Sequence, residues 1–178
     1  STMGRLYRVK PAKGNLRTVP RLDRMNAGEL VAAMNSPNGT LRDLAMMQLL
    51  WKGEKPKRED FEPILYSNDP AVRIQMRATL AQLRLLDMPD FVRGCMDQNH
   101  EVARMSWRIQ EDQKLYSIGT GDPLDKAKAL WKNKPVPELM QMAWTMGRNE
   151  EAPFGKQLAH LLGTRPDDAY LATITLVY

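Results

Sequence analysis

From Asn26 onward, apolar residues recur at helical spacing and are interrupted by short polar breaks. Asn26 precedes AGELVAAMN, in which Leu30, Val31 and Met34 share one face. SPNG at 36–39 stops that pattern. Thr40 or Asn38 then opens TLRDLAMMQLLWKG, with Leu41, Leu44, Ala45 and Leu49 on one side and Gly53 placed to end the helix. DFEPILY (60–66) predicts a short helix and SNDP (67–70) breaks it, with Asp69 as N-cap and Pro70 in the first turn. AVRIQMRATLAQLRLL (71–86) follows, carrying Val72, Met76, Leu80 and Leu83 on one face. A third unit runs PDFVRGCM, DQNH, EVARMSWRIQEDQKLY.

The breaks SPNGTLR, SNDPAVR and QNHEVAR align, each placing a polar turn before an aliphatic residue and an arginine. Leu41 to Val72 is 31 residues and Val72 to Val102 is 30, whereas Arg42, Arg73 and Arg104 are each 31 apart. Val102 and Arg104 therefore cannot both be in register. Two helices per unit at a period near 30 mark an α-solenoid.

After GTGDP (119–123) the repeat is degenerate. PLDKAKALWK (123–132) and PELMQMAWTMG (137–147) form a fourth pair, and FGKQLAHLLG (154–163) opens a fifth. TRPDD is another turn, and AYLATITLVY (169–178) is the last helix. The expected fold is all-α: a right-handed α-solenoid of about four to five HEAT-like helical hairpins over 26–178. Residues 1–25 are expected to be a short strand, GRLYRV (4–9), and a linker rich in Pro, Gly and charge. The final segment is apolar and uncapped, whereas a terminal repeat needs a polar outer face. The natural chain is therefore expected to continue past Tyr178, with this stack cut at its C-terminal end.

Composition narrows the function. Hydrophobic residues at 43% and charged residues at 26% describe a globular chain, not a disordered one. The +5 net charge is spread among residues of both signs, which is solvation with a weak pull toward acidic partners. One cysteine, Cys95, allows no internal disulfide and no thiolate cluster. No apolar run is long enough to cross a membrane, and no signal peptide is expected within the sequence as it stands.

Arg42, Arg73, Arg77, Arg84, Arg104 and Arg108 fall on the second helices of successive units. Arg73, Arg77 and Arg84 share a stripe at i, i+4, i+11. Two readings are open. The arginines form a concave ridge for phosphate or carboxylate groups, or they pair with Asp43, Asp69, Glu101 and Asp112 as ordinary packing between repeats, which is favoured. Trp51, Trp107, Trp131 and Trp144 come one per unit. They read mainly as core, with Trp107, beside Arg104 and Arg108, the first candidate for a stacking surface.

His100 follows Asn99 where it can cap a helix, and His160 lies on an apolar helix. Neither has a histidine or cysteine at ligand spacing, so no metal site is expected. GTGDP lacks the strand and the lysine-serine end of a phosphate loop. No cofactor and no catalytic residue is expected.

The segments GRLYRVKP and RLDRMNAGELVAAMNSPNGTLRDLAMMQLL resemble the junction in very large secreted proteins of planctomycetes and their relatives. In that family a propeller similar to sugar dehydrogenases is followed by HEAT-like repeats and a c-type cytochrome domain. The resemblance is carried by Glu29, Leu30, Val31, Ser36, Pro37, Asn38, Gly39, Arg42, Asp43, Ala45, Leu49 and Leu50, with similar DPAVR and RPDDAYLAT turns later. It implies the middle module of an exported or periplasmic redox protein, bound to its flanking domains or to another protein. The dehydrogenase activity would belong to the parent and not to this segment. The function expected is a non-catalytic interaction or scaffold module. The competing expectation is a basic HEAT-like stack that grips nucleic acid, as DNA-glycosylase-like proteins do, with Arg77, Arg108 and Trp107 in that role.

Overall fold

A computed structural model describes residues 18–53, 55–113, 131–148 and 155–176. Among them the chain is all-helical and has no strand. A 3-10 turn, Leu22–Arg24, precedes α1 (Ala27–Ala33), α2 (Gly39–Lys52), α3 (Arg58–Leu65), α4 (Pro70–Gln82), α5 (Met88–Cys95), α6 (His100–Gln113), α7 (Val136–Gly147), α8 (Gly155–Thr164) and α9 (Ala169–Leu176). The expected strand at 4–9, GTGDP and most of PLDKAKALWK lie outside the described residues.

The polar breaks start helices because each supplies an acceptor for the unpaired N–H groups of a first turn. Asn26 accepts from the Glu29 N–H at 2.9 Å while the Glu29 carboxylate accepts from the Asn26 N–H at 2.8 Å, a reciprocal capping box. Asn38, Asp69, Asn99 and Asp168 accept from the N–H groups of Thr40, Ala71, Glu101 and Tyr170 at 2.9–3.1 Å. Asn38 and not Thr40 therefore starts α2. Asn99 caps α6, leaving His100 free for another contact.

Two residues before three of these caps, a side chain folds the turn. Ser36, Ser67 and Asp97 accept from the N–H groups of Asn38, Asp69 and Asn99 at 3.1, 3.3 and 2.9 Å. The caps settle the register. Val102 stands three residues after its cap, as Leu41 and Val72 do, and Ala103 takes the place held by Arg42 and Arg73. Arg104 is one position late.

Helix ends are equally local. Gly53 sits at φ 66°, a left-handed conformation that glycine adopts without Cβ strain. α4 stops at Gln82, short of the expected 86. Leu85 N–H reaches Leu80 O at 2.8 Å and Arg84 N–H reaches Ala81 O at 3.0 Å. This is a Schellman ending, with Arg84 at φ 57° in the position usually given to glycine. Leu85 packs against the core cluster that holds Leu80, the apolar burial that accompanies such an ending.

Sequence neighbours pair: α1 with α2, α3 with α4, α5 with α6, α8 with α9. The second members also pack in a row, α2 on α4, α4 on α6, α6 on α7 and α7 on α9, while α1 touches α3. One apolar cluster joins Leu22, Leu30, Val31, Met34, Leu49, Phe61, Met76 and Leu80. Another joins Phe91, Cys95, Trp107, Trp131, Leu139, Met142 and Leu161. Each large aliphatic or Phe side chain buried this way contributes about 1.5–3 kcal/mol. Buried polar side chains stand beside these apolar ones. Arg77 and Ser106 are buried there under Gly94, whose missing Cβ would lie 2.5 Å from Arg77 Nε and 2.3 Å from Ser106 Oγ.

Candidate functional site

The helical register decides which of the sequence candidates face outward. Arg42 and Arg73, four residues past their caps, turn back to the preceding break. Their Nη1 groups donate to Ser36 O and Ser67 O at 2.8 and 2.7 Å. Each also reaches the next hairpin. Arg42 lies 3.9 Å from Asp69, and Arg73 makes a forked pair with Asp97 at 2.9 and 2.8 Å. Burial pushes the Asp97 carboxyl up, but the Arg73 fork and the Asn99 N–H outweigh it and hold it below its ordinary value.

Arg77 is not on the surface. It is 3% exposed, its Nε has no hydrogen-bond partner, and burial lowers its pKa against the opposing pull of Asp97 and Asp90. Its position eight residues past the cap aims it at the next hairpin, not at solvent. Arg84 is not on a helix face at all, because the Schellman turn carries it away from α4. Arg104 pairs with Glu101 on its own helix, Nε at 3.1 Å and Nη2 at 2.7 Å. Arg108, one turn further, is exposed and makes no ion pair with a described residue.

The tryptophans divide. Trp107 is 2% exposed and packs edge-on against Phe91 with ring centroids 5.6 Å apart, so it offers no stacking surface. Trp131 is fully buried, with His160 beside it at 5.7 Å. Trp51 and Trp144 depart from the expected core role, being 71% and 41% exposed. The cap spacing explains this: Met47, Arg108 and Trp144 each stand nine residues past a cap, which points them away from the paired first helix. On α2 the exposed Leu44, Met47 and Trp51 follow one another at i, i+3, i+7.

Where α6 lies along α7, their outward faces leave a groove of about 290 Å³ lined by Arg104, Pro137, Met140, Gln141 and Trp144. Gln141 is held in one orientation: its Nε2 donates to Glu111 Oε1 at 2.6 Å and to Thr145 Oγ1 at 3.2 Å. Sequence reasoning chose Trp107 and missed Trp144. Counting from the polar breaks would have separated them.

Near the groove's start, Glu138 is buried and takes contacts from His100 Nδ1 at 2.9 Å and from Lys134. Pro135, at the cap position, has no N–H for Glu138 to accept from, so the carboxylate is available to these two. Cys95 is also buried, which pushes its thiol well above the ordinary value and disfavours a nucleophilic thiolate. Among the described residues no three metal-ligating side chains group together, and no helix is long and apolar enough to cross a membrane.

Comparison with protein-family models, with curated proteins and with solved structures gives no match.

Proposed function

We propose that this chain is a non-catalytic interaction module, a right-handed α-solenoid of HEAT-like hairpins that holds a partner protein on the face of its second helices. The observation that carries this reading is the row α2, α4, α6, α7, α9, which bears the exposed Leu44, Met47, Trp51 and Trp144 on outward positions. On α2, Leu44, Met47 and Trp51 form one exposed apolar stripe, and such stripes mark interaction surfaces. The repeated turn, cap and backward-reaching arginine support the repeat assignment.

The arginines favour a protein over a nucleic acid. Binding to duplex DNA rests on cations that replace counterions, each contributing about −0.9 to the salt slope. Of the candidate arginines, Arg42, Arg73 and Arg77 are held in packing and Arg104 is paired, which leaves Arg84 and Arg108 exposed. The segment's resemblance to the large secreted redox proteins supports a place beside a propeller and a cytochrome domain in an exported parent.

Calorimetric titration of the module with those flanking domains, expressed separately, tests the reading. Binding that weakens when Trp51 and Trp144 become alanine supports it. Absence of binding, together with independent melting of the joined domains, would overturn it. Tight binding of a duplex DNA with a steep salt slope would replace it with the nucleic-acid alternative.

A further inference from the structure

We infer that the α6–α7 groove takes an extended peptide segment of a partner, with one bulky apolar side chain seated against Trp144 and an acidic residue beside it on Arg108 and Arg104. This rests on the interaction-module reading and adds the site and the chemistry of the guest.

The lining is divided by kind. Pro137, Met140 and Trp144 form an apolar wall, and the methionine thioether adapts to guests of different outline. A volume of about 290 Å³ suits one large side chain and lies at the lower edge of small-molecule pockets, so an extended cofactor is too large for it.

The polar groups make a matching set. Glu111 and Thr145 hold the Gln141 amide nitrogen. That fixes the side-chain carbonyl as an acceptor for a guest backbone N–H. Arg104 uses Nε and Nη2 on Glu101, so its Nη1 is still available to a carboxylate. Arg108 is exposed one turn away on the same face of α6 and has no ion pair with a described residue. An acceptor for a backbone N–H, two donors for a carboxylate and an apolar seat together describe a peptide. They fit a polyphosphate poorly, because Glu101 already pairs with Arg104 and repels a second and third phosphate.

The test is selection of a random dodecapeptide library on the full 178-residue chain, followed by titration of the enriched peptides against variants. Peptides sharing a large apolar residue within two positions of Asp or Glu are expected. Their Kd should rise about tenfold or more with Trp144→Ala, as for a central aromatic anchor. Arg108→Glu should weaken them by roughly fivefold and reverse the preference for the acid over its amide. Arg108 is exposed and makes no ion pair with a described residue, so this variant keeps its fold and stays informative if Trp144→Ala does not. Val19→Ala, at an exposed apolar residue outside the row of second helices, should leave Kd unchanged. Enriched peptides indifferent to both groove variants would overturn the groove assignment and leave the interaction-module reading standing. Failure to enrich any peptide, alongside intact binding of a folded flanking domain, would also overturn it. Displacement of a bound peptide by short DNA at low salt would show a phosphate site in its place.

Discussion

Replacing Gly94 by alanine puts a methyl group where α4 and α6 already press against α5. The new Cβ would stand 2.3 Å from Ser106 Oγ, 2.5 Å from Arg77 Nε and 2.9 Å from Ser106 Cβ. All three are inside van der Waals contact, and none belongs to a long flexible tip on the surface. Overpacking of this kind costs about 1–3 kcal/mol. If α5 retreats to relieve it, the Phe91–Trp107 edge contact at 5.6 Å loosens as well, at about 0.5–1.5 kcal/mol. Alanine is the better helix former by up to about 1 kcal/mol, but Gly94 is the penultimate residue of α5 and gains only part of that. The net expectation is a destabilisation of about 2 kcal/mol, or a Tm lower by roughly 4–8 °C for a chain of this size. Urea unfolding followed by circular dichroism reads it directly. Ser106→Ala in the same background removes the nearest atom and should restore part of the loss. An alanine at 94 that leaves the midpoint unchanged, or raises it, would refute the claim that glycine is what lets α5 close over Arg77.

The other expectations concern titrating groups. Asp97 has a folded pKa below its unfolded value, so the stability it contributes is complete above about 3.9 and is lost as pH falls through the folded value. Wild type should therefore exceed Asp97→Asn in stability near about pH 6, with the gap closing toward about pH 2; a gap that persists would show that the Arg73 fork is not its source. Cys95, 4% exposed and with its thiol pushed up by burial, should react with a thiol reagent about 100-fold more slowly in the native chain than in denaturant. Equal rates would mean that the cluster of Trp107, Trp131 and Leu139 does not cover it.

The sequence made the starts of helices legible and their faces less so. Asn26, Asp69 and Pro70 act as read, because a cap is a contact between residues two or three apart. Gly53 ends α2 for the same local reason. The end of α4 is not legible, because Arg84 takes a left-handed turn that arginine seldom adopts, with Leu85 packed against the core cluster that holds Leu80. Arg77 looked like a surface cation on a stripe with Arg73. Whether such a stripe meets water depends on what the next hairpin lays over it, and Gly94 signals a close approach only once its neighbour is known. Trp107 and Trp144 share a residue type, and only their distances from the preceding caps, eight and nine residues, separate core from surface.

The one-residue offset at the third break has an evolutionary consequence. A step of one residue turns a side chain about 100° around a helix. An arginine four residues past the cap reaches back and fastens one hairpin to the next, as Arg42 and Arg73 do. Moved to the fifth position, as Arg104 is, it leaves that duty and stands at the lip of a groove. His100 and Glu138 carry the fastening onward in its stead. Shortening a break by one residue therefore transfers a side chain from assembly to recognition while the caps and the buried positions keep their places. Such a chain can acquire new outward chemistry by small insertions and deletions in its turns, a route of variation that does not pass through its core.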